Sequence, residues 1–190
     1  MSSGWPTSRG VSALALLVLL TVVGCGGGES NVLSGTRNGV LHYGNGSEPQ
    51  GLDPHVVTGV PESNIIKALF EGLVTKDPYT LRPEPGVAER WEISSDGRRY
   101  VFHLRRDARW SNGDPVTSHD FVASWLRALS PRTGNRYAYM LYPLKGAEAY
   151  HRGEGTAFEA VGVRVPGDNL LVVELEHPVR DERICIEAPL

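Results

Sequence analysis

Cysteine, histidine and paired carboxylates are the side chains with which this 190-residue chain could do chemistry, and their spacing argues against most of it. His42, His55, His103, His119, His151 and His177 form no H-x-H, no H-E-x-x-H and no cysteine pairing at ligand spacing. They read as surface or hairpin histidines, and no metal is expected. No G-x-S-x-G elbow presents a nucleophilic serine, and no Cys–His arrangement is credible. Asp53 and Glu62 are a carboxylate pair, but spacing alone does not make an acid and a base. Gly26-Gly-Gly-Glu-Ser-Asn31 resembles a phosphate loop only in its glycines. It lacks G-x-x-x-x-G-K-[ST] and follows no strand. The expectation is a protein that is not an enzyme and holds no cofactor.

One cysteine does sit where chemistry is done to it. Arg9 precedes an uncharged run, Val11–Val23, that is shorter than the about 20 residues a bilayer span requires. The run ends in Val22-Val23-Gly24-Cys25, which resembles the bacterial lipobox: a small residue before a cysteine that becomes acylated. Residues 1–24 therefore read as a signal peptide and Cys25 as the lipidation site. Each methylene of an acyl chain contributes about 0.8 kcal/mol, so two or more chains anchor stably. Residues 25–38 read as the lipidated cysteine and a flexible tether, by their glycine and small polar residues. The folded part is expected from Gly39.

The third group is aromatic. Trp91, Trp110 and Trp125 lie in the apolar register of their elements and read as core. Tyr137-Ala-Tyr-Met-Leu-Tyr142 follows a polar loop, and a phenol offers an apolar face with a polar tip. Pattern alone leaves two readings open there, a ligand-lined cleft or ordinary packing.

The elements that must position these residues follow from periodicity. Val40–Tyr43 reads as a short strand, Leu52-Asp-Pro-His55 as a turn, and Pro61–Asn64 as the opening of a helix with Ile65, Ile66, Leu69, Phe70 and Leu73 on one stripe. Tyr100, Phe102 and Leu104 alternate with Val101, His103 and Arg105. With Trp91 and Ile93 before Ser95-Asp96-Gly97, they predict a hairpin. Ala108–Trp110 predicts another strand. Thr117 with Asp120 is a capping-box start for a helix carrying Phe121, Val122, Trp125, Leu126 and Leu129, stopped by Ser130-Pro131. A short helix over 144–151 and a hairpin of Val161–Val165 with Leu170–Leu175 complete a mixed α/β (α+β) order without repeats. Composition fits a globular chain, 41% hydrophobic and 22% charged, and a net charge of −3 gives no polybasic footprint for nucleic acid.

Three stretches resemble one family. They are Gly51-Leu-Asp-Pro-His55 with Gly59-Val-Pro-Glu-Ser-Asn-Ile65 and Leu69-Phe-Glu-Gly-Leu73; Pro85–Trp91 through Ser95–Arg105; and Trp110–Thr117 with His119–Val122 and Ser124-Trp125. In this order they are similar to the extracytoplasmic solute-binding proteins of ABC importers, family 5, of the oligopeptide-binding type. The resemblance covers almost all of residues 40–178. It implies a periplasmic-binding-protein-like, two-lobed fold with an extra domain, closing over its ligand by a hinge. It implies a peptide held by main-chain hydrogen bonds, permease subunits of an importer as partner, and a lipid-anchored, extracytoplasmic location at the cell membrane. By position, Thr58-Gly59-Val60 lies along the peptide, so Thr58 and Val60 are ligand-binding residues, with Tyr137 contacting the same ligand. Oligopeptide receptors can carry glutamate where this chain has Thr58, a departure that bears on ligand class.

Residues 39–179 thus read as the N-terminal part of a solute-binding domain. Arg180–Leu190 departs from the continuation the resemblance implies and reads as a divergent tail, without a role for Cys185. The expectation is a truncated chain with an incomplete site. The competing reading is a surface-anchored interaction protein or a fragment without a transport role.

Overall fold

Alternating apolar residues build a four-stranded antiparallel sheet at the centre of the larger of two units. The computed structural model describes residues 30–178, and the chain divides into residues 1–44 and 45–190. Cys25, the signal peptide and the divergent tail with Cys185 lie outside the described residues.

In the first unit, α1 spans Asn31–Asn38. A tether is expected through residue 38, yet this stretch is helical because both its ends are supplied. Ser30 Oγ accepts the Leu33 N–H at 3.3 Å, and Gly39 takes φ 66°, the left-handed cap that glycine adopts freely. The strand expected over residues 40–43 does not form: among the described residues it has no ladder partner.

In the second unit, α2 (Val60–Leu69) starts with Pro61 in its first turn. Its stripe is only partly covered. Ile66 is buried, but Leu69 is 64% exposed. Strands β1 (Val74–Lys76) and β2 (Pro83–Pro85) form a small antiparallel pair. Gly86 then passes so close to the preceding loop that a Cβ there would lie 2.5 Å from the Gly72 carbonyl oxygen. The main sheet has the order β3 (Ala88–Ile93), β4 (Arg99–Leu104), β6 (Leu170–Glu174), β5 (Val163–Gly167).

Register brings one face together. Trp91 faces Phe102, Tyr100 faces Val173 and Phe102 faces Leu171. Tyr100, Phe102, Leu171 and Val173 are fully buried, as the period-two pattern requires. The β3–β4 hairpin turns at Gly97 (φ 68°), as expected. The first strand of the last hairpin is shifted by two residues from the expected Val161–Val165, and β5 runs on to Gly167, which pairs with Leu170. The strand expected at Ala108–Trp110 is reduced to a single bridge between Arg109 and Pro115, where proline has no N–H to extend a ladder.

Helix α3 (Ser118–Leu129) packs against β5 with Phe121, Trp125 and Leu129 fully buried. Val122 is partly buried against the core, and Leu126, at the edge of the stripe, is 39% exposed. Trp91 and Trp110 are also partly buried against the core, whereas Trp125 lies inside it. Helix α4 (Ala147–Arg152) begins later than expected, because Gly146 takes φ 71° and cannot be part of the helix.

Candidate functional site

Helix α3 is fixed first at its own start. Thr117 N–H and Oγ1 both donate to Asp120 Oδ2, at 2.7 and 2.9 Å, so the carboxylate closes the first turn. The buried Ser118 N–H donates to the Asp168 carbonyl at 2.7 Å, and its Oγ reaches the same carbonyl at 2.6 Å, which joins the helix to the β5–β6 turn. At the other end, three carbonyls that a helix cannot satisfy internally find donors. Thr133 Oγ1 donates to Arg127 O at 2.6 Å, Asn135 Nδ2 to Ala128 O at 3.1 Å and His151 Nδ1 to Leu129 O at 2.8 Å.

The side chains of the same turn hold a second loop. Arg127 Nη1 and Nη2 donate to Asp53 Oδ1 and Oδ2 at 2.7 and 2.5 Å, a bidentate pair. The Arg127 guanidinium, foremost, holds the Asp53 carboxyl down to about 2. Arg127 Nη1 also lies 2.7 Å from His55 Nδ1, and His55 Nε2 lies 3.1 Å from Ser124 Oγ. Val56 and Val57 N–H both donate to the Asp53 carbonyl, at 3.1 and 3.2 Å. Residues 53–57 are thus a turn clasped to one face of α3, where Ser124 and Arg127 sit three residues apart.

From that turn the chain runs through Thr58, Gly59 and Val60 into α2. Thr58 is exposed and Val60 is 72% exposed. Glu62 stands behind them in the first turn of α2 and accepts the Gln50 N–H at 2.8 Å. That bond, first, keeps its carboxyl below the usual range. Tyr137 follows the loop that Asn135 ties to α3; its N–H donates to Asn135 Oδ1 at 2.9 Å. The Tyr137 ring meets Tyr139 edge-on with centroids 6.2 Å apart, and the two are 43% and 57% exposed. Tyr142, in contrast, is half-buried and packs on His151 at 5.9 Å. The tyrosine run therefore splits: two phenols face outward and the third packs.

The segments holding Thr58, Val60 and Tyr137 hang from the same turn of α3, and no hydrogen bond or ring contact among the described residues joins Thr58 or Val60 to Tyr137. The supporting group of Asp53, His55, Ser124 and Arg127 is what sequence reasoning missed. Its signal was an Asp-Pro-His turn and a polar i,i+3 pair on an otherwise apolar helix. Among the described residues no cluster of His, Cys, Asp or Glu is arranged to hold a metal, and no helix is long and apolar enough to cross a membrane. A surface cavity of about 320 Å³ beside α4 is lined by Tyr142, Glu148, Arg152, Glu176 and His177. Its Arg152 pairs with Glu148 at 2.6 Å, and Glu176 accepts the Gly146 N–H.

Known proteins share this architecture. The family model of bacterial extracellular solute-binding proteins, family 5 Middle, matches residues 82–189. The periplasmic oligopeptide-binding protein OppA of Haemophilus influenzae is 47% identical over 136 residues, 71% of this chain and 25% of its own length. The oligopeptide-binding protein OppA of Bacillus subtilis is 37% identical over 173 residues, 88% of this chain and 31% of its own. The crystal structure of Haemophilus influenzae OppA in complex with RPPGFSPFR matches with a TM-score of 0.66 at 45% identity, covering 71% of this chain and 26% of that one. The chain spans about a quarter to a third of the length of these relatives.

Proposed function

The chain belongs to the bacterial extracellular solute-binding proteins of family 5, and from that premise we propose that it forms part of the ligand wall of a peptide receptor for an ABC importer. The observation that carries this reading is the segment Thr58-Gly59-Val60, exposed at Thr58 and Val60 and held on α3 by the Asp53–Arg127 pair, with the exposed Tyr137 tied to the same helical turn. A segment braced by hydrogen bonds and an ion pair suits a ligand bound through its backbone, which tolerates varied side chains. A nearby phenol adds apolar contact and one hydrogen bond at small entropic cost. Threonine at position 58 offers a hydroxyl and no charge, so the strip selects for backbone and not for a cationic group. The receptor works outside the cytoplasm, held to the membrane through acyl chains on Cys25, and it binds without catalysis.

The binding claim is tested by transplanting this chain's matched stretch into full-length Haemophilus influenzae OppA and titrating the folded hybrid with RPPGFSPFR by calorimetry. Saturable binding supports the reading; a folded hybrid with no heat of binding refutes it. The anchor is tested by expressing the chain in bacteria with labelled fatty acid, beside a Cys25→Ser version. Label on the first and not on the second is expected, and equal labelling of the two contradicts acylation at Cys25.

A further inference from the structure

Besides the Asp53–Arg127 pair, the turn that leads into Thr58 is held by a contact that only one protonation state of His55 permits. A guanidinium has donors and no acceptor, so Arg127 Nη1 at 2.7 Å requires His55 Nδ1 to be bare. The ring proton therefore sits on Nε2 and is donated to Ser124 Oγ at 3.1 Å. A second proton on Nδ1 would set N–H against N–H at hydrogen-bond distance, beside a full positive charge. His55 is buried, 8% exposed as a residue, so burial opposes that charge as well. The charged groups that face it among the described residues are Arg127, from α3, and Asp53, from its own turn. Asp53 attracts a proton to the ring, but both its oxygens already accept from Arg127.

We propose that Arg127 and His55 are positioning residues for Thr58-Gly59-Val60 and that their contact is a clasp released by acid. The assignment rests on the reading of that strip as ligand wall. Protonation of His55 expels the guanidinium from Nδ1, the 53–57 turn loosens from α3, and the strip that follows it loses its fixed position.

The sign follows from linkage. Burial first, and the Arg127 charge second, hold the clasped ring's pKa below the 6.5 of a free histidine. The closed clasp is therefore at full strength above pH 6.5. As pH falls from 6.5 toward the lower clasped value, the opening equilibrium rises by up to about tenfold per pH unit.

Amide exchange on the full chain without ligand reads this opening, at the Val56 and Val57 N–H groups that donate to the Asp53 carbonyl. After correction for intrinsic exchange rates, their protection should fall between pH 7.5 and 5 while that of β4 stays constant. His55→Gln should flatten the profile, and Arg127→Met should lower protection already at neutral pH. Protection that ignores pH, a fall shared equally by β4, or a fall that persists in His55→Gln overturns the proposal. The OppA hybrid adds the ligand. Its affinity for RPPGFSPFR should weaken over the same pH range, and less so with His55→Gln. Equal affinity at both ends, with exchange responding, overturns the coupling. A hybrid that binds at neither pH refutes the peptide reading and leaves the exchange result to judge the clasp.

Discussion

Tyr137 is the residue that pattern alone leaves between a ligand-lined cleft and ordinary packing. The residue is 43% exposed and its ring meets that of another exposed residue, Tyr139, while its backbone is fixed through Asn135. Little packing is lost by removing it. In the OppA hybrid, Tyr137→Ala is expected to weaken peptide binding by about 1–2 kcal/mol, as loss of one aromatic contact does, with the melting temperature nearly unchanged. Unchanged affinity with a large drop in melting temperature would return Tyr137 to the core. The residues that form the bracket were only partly legible in the sequence. Asp53 and His55 stand out as a turn, and Ser124 lies in a motif. Nothing in the one-dimensional pattern says that Arg127, 74 positions from Asp53, reaches it.

At the scale of elements, α3 is the bracket, and its own hold on the core is Trp125. The indole is fully buried between Phe121 and Leu129 on the stripe, and its Nε1 finds no acceptor among the described residues. Trp125→Ala is expected to cost about 3–5 kcal/mol in urea unfolding. Trp125→Phe is expected to cost less, because it keeps most of the ring and removes an unpaired donor. A near-neutral alanine variant would place the side chain at the surface. This helix was legible from start to stop, because its cap, its stripe and its terminating Ser-Pro are all local. So were the two hairpins of the main sheet, whose alternation and turn residues lie within a few positions. The departures have separate causes. Asn31–Asn38 is helical because capping at both ends outweighs its glycine and polar content. Val40–Tyr43 forms no strand because a strand depends on a partner that local sequence does not specify. Leu126 and Leu69, read as stripe residues, are exposed because a stripe is covered only where another element lies over it.

At the scale of the molecule, family and fold were legible because the three motif stretches appear in order at fitting spacing. The structure supplied the joint between them. The Gly51–His55 stretch and the Ser124-Trp125 stretch meet through Arg127, and the tyrosine run is tied to the same turn. The peptide-receptor proposal requires Thr58–Val60 and Tyr137 to line one ligand. Photo-crosslinking tests that claim most directly. A series of RPPGFSPFR peptides, each carrying a benzophenone at a different position, is irradiated on the OppA hybrid, and the adducts are mapped by mass spectrometry. Within this chain's stretch, adducts are expected on residues 58–60 and on Tyr137, and excess unlabelled peptide is expected to remove both. Competable adducts confined to other surfaces of the stretch, such as the cavity beside α4, would contradict it.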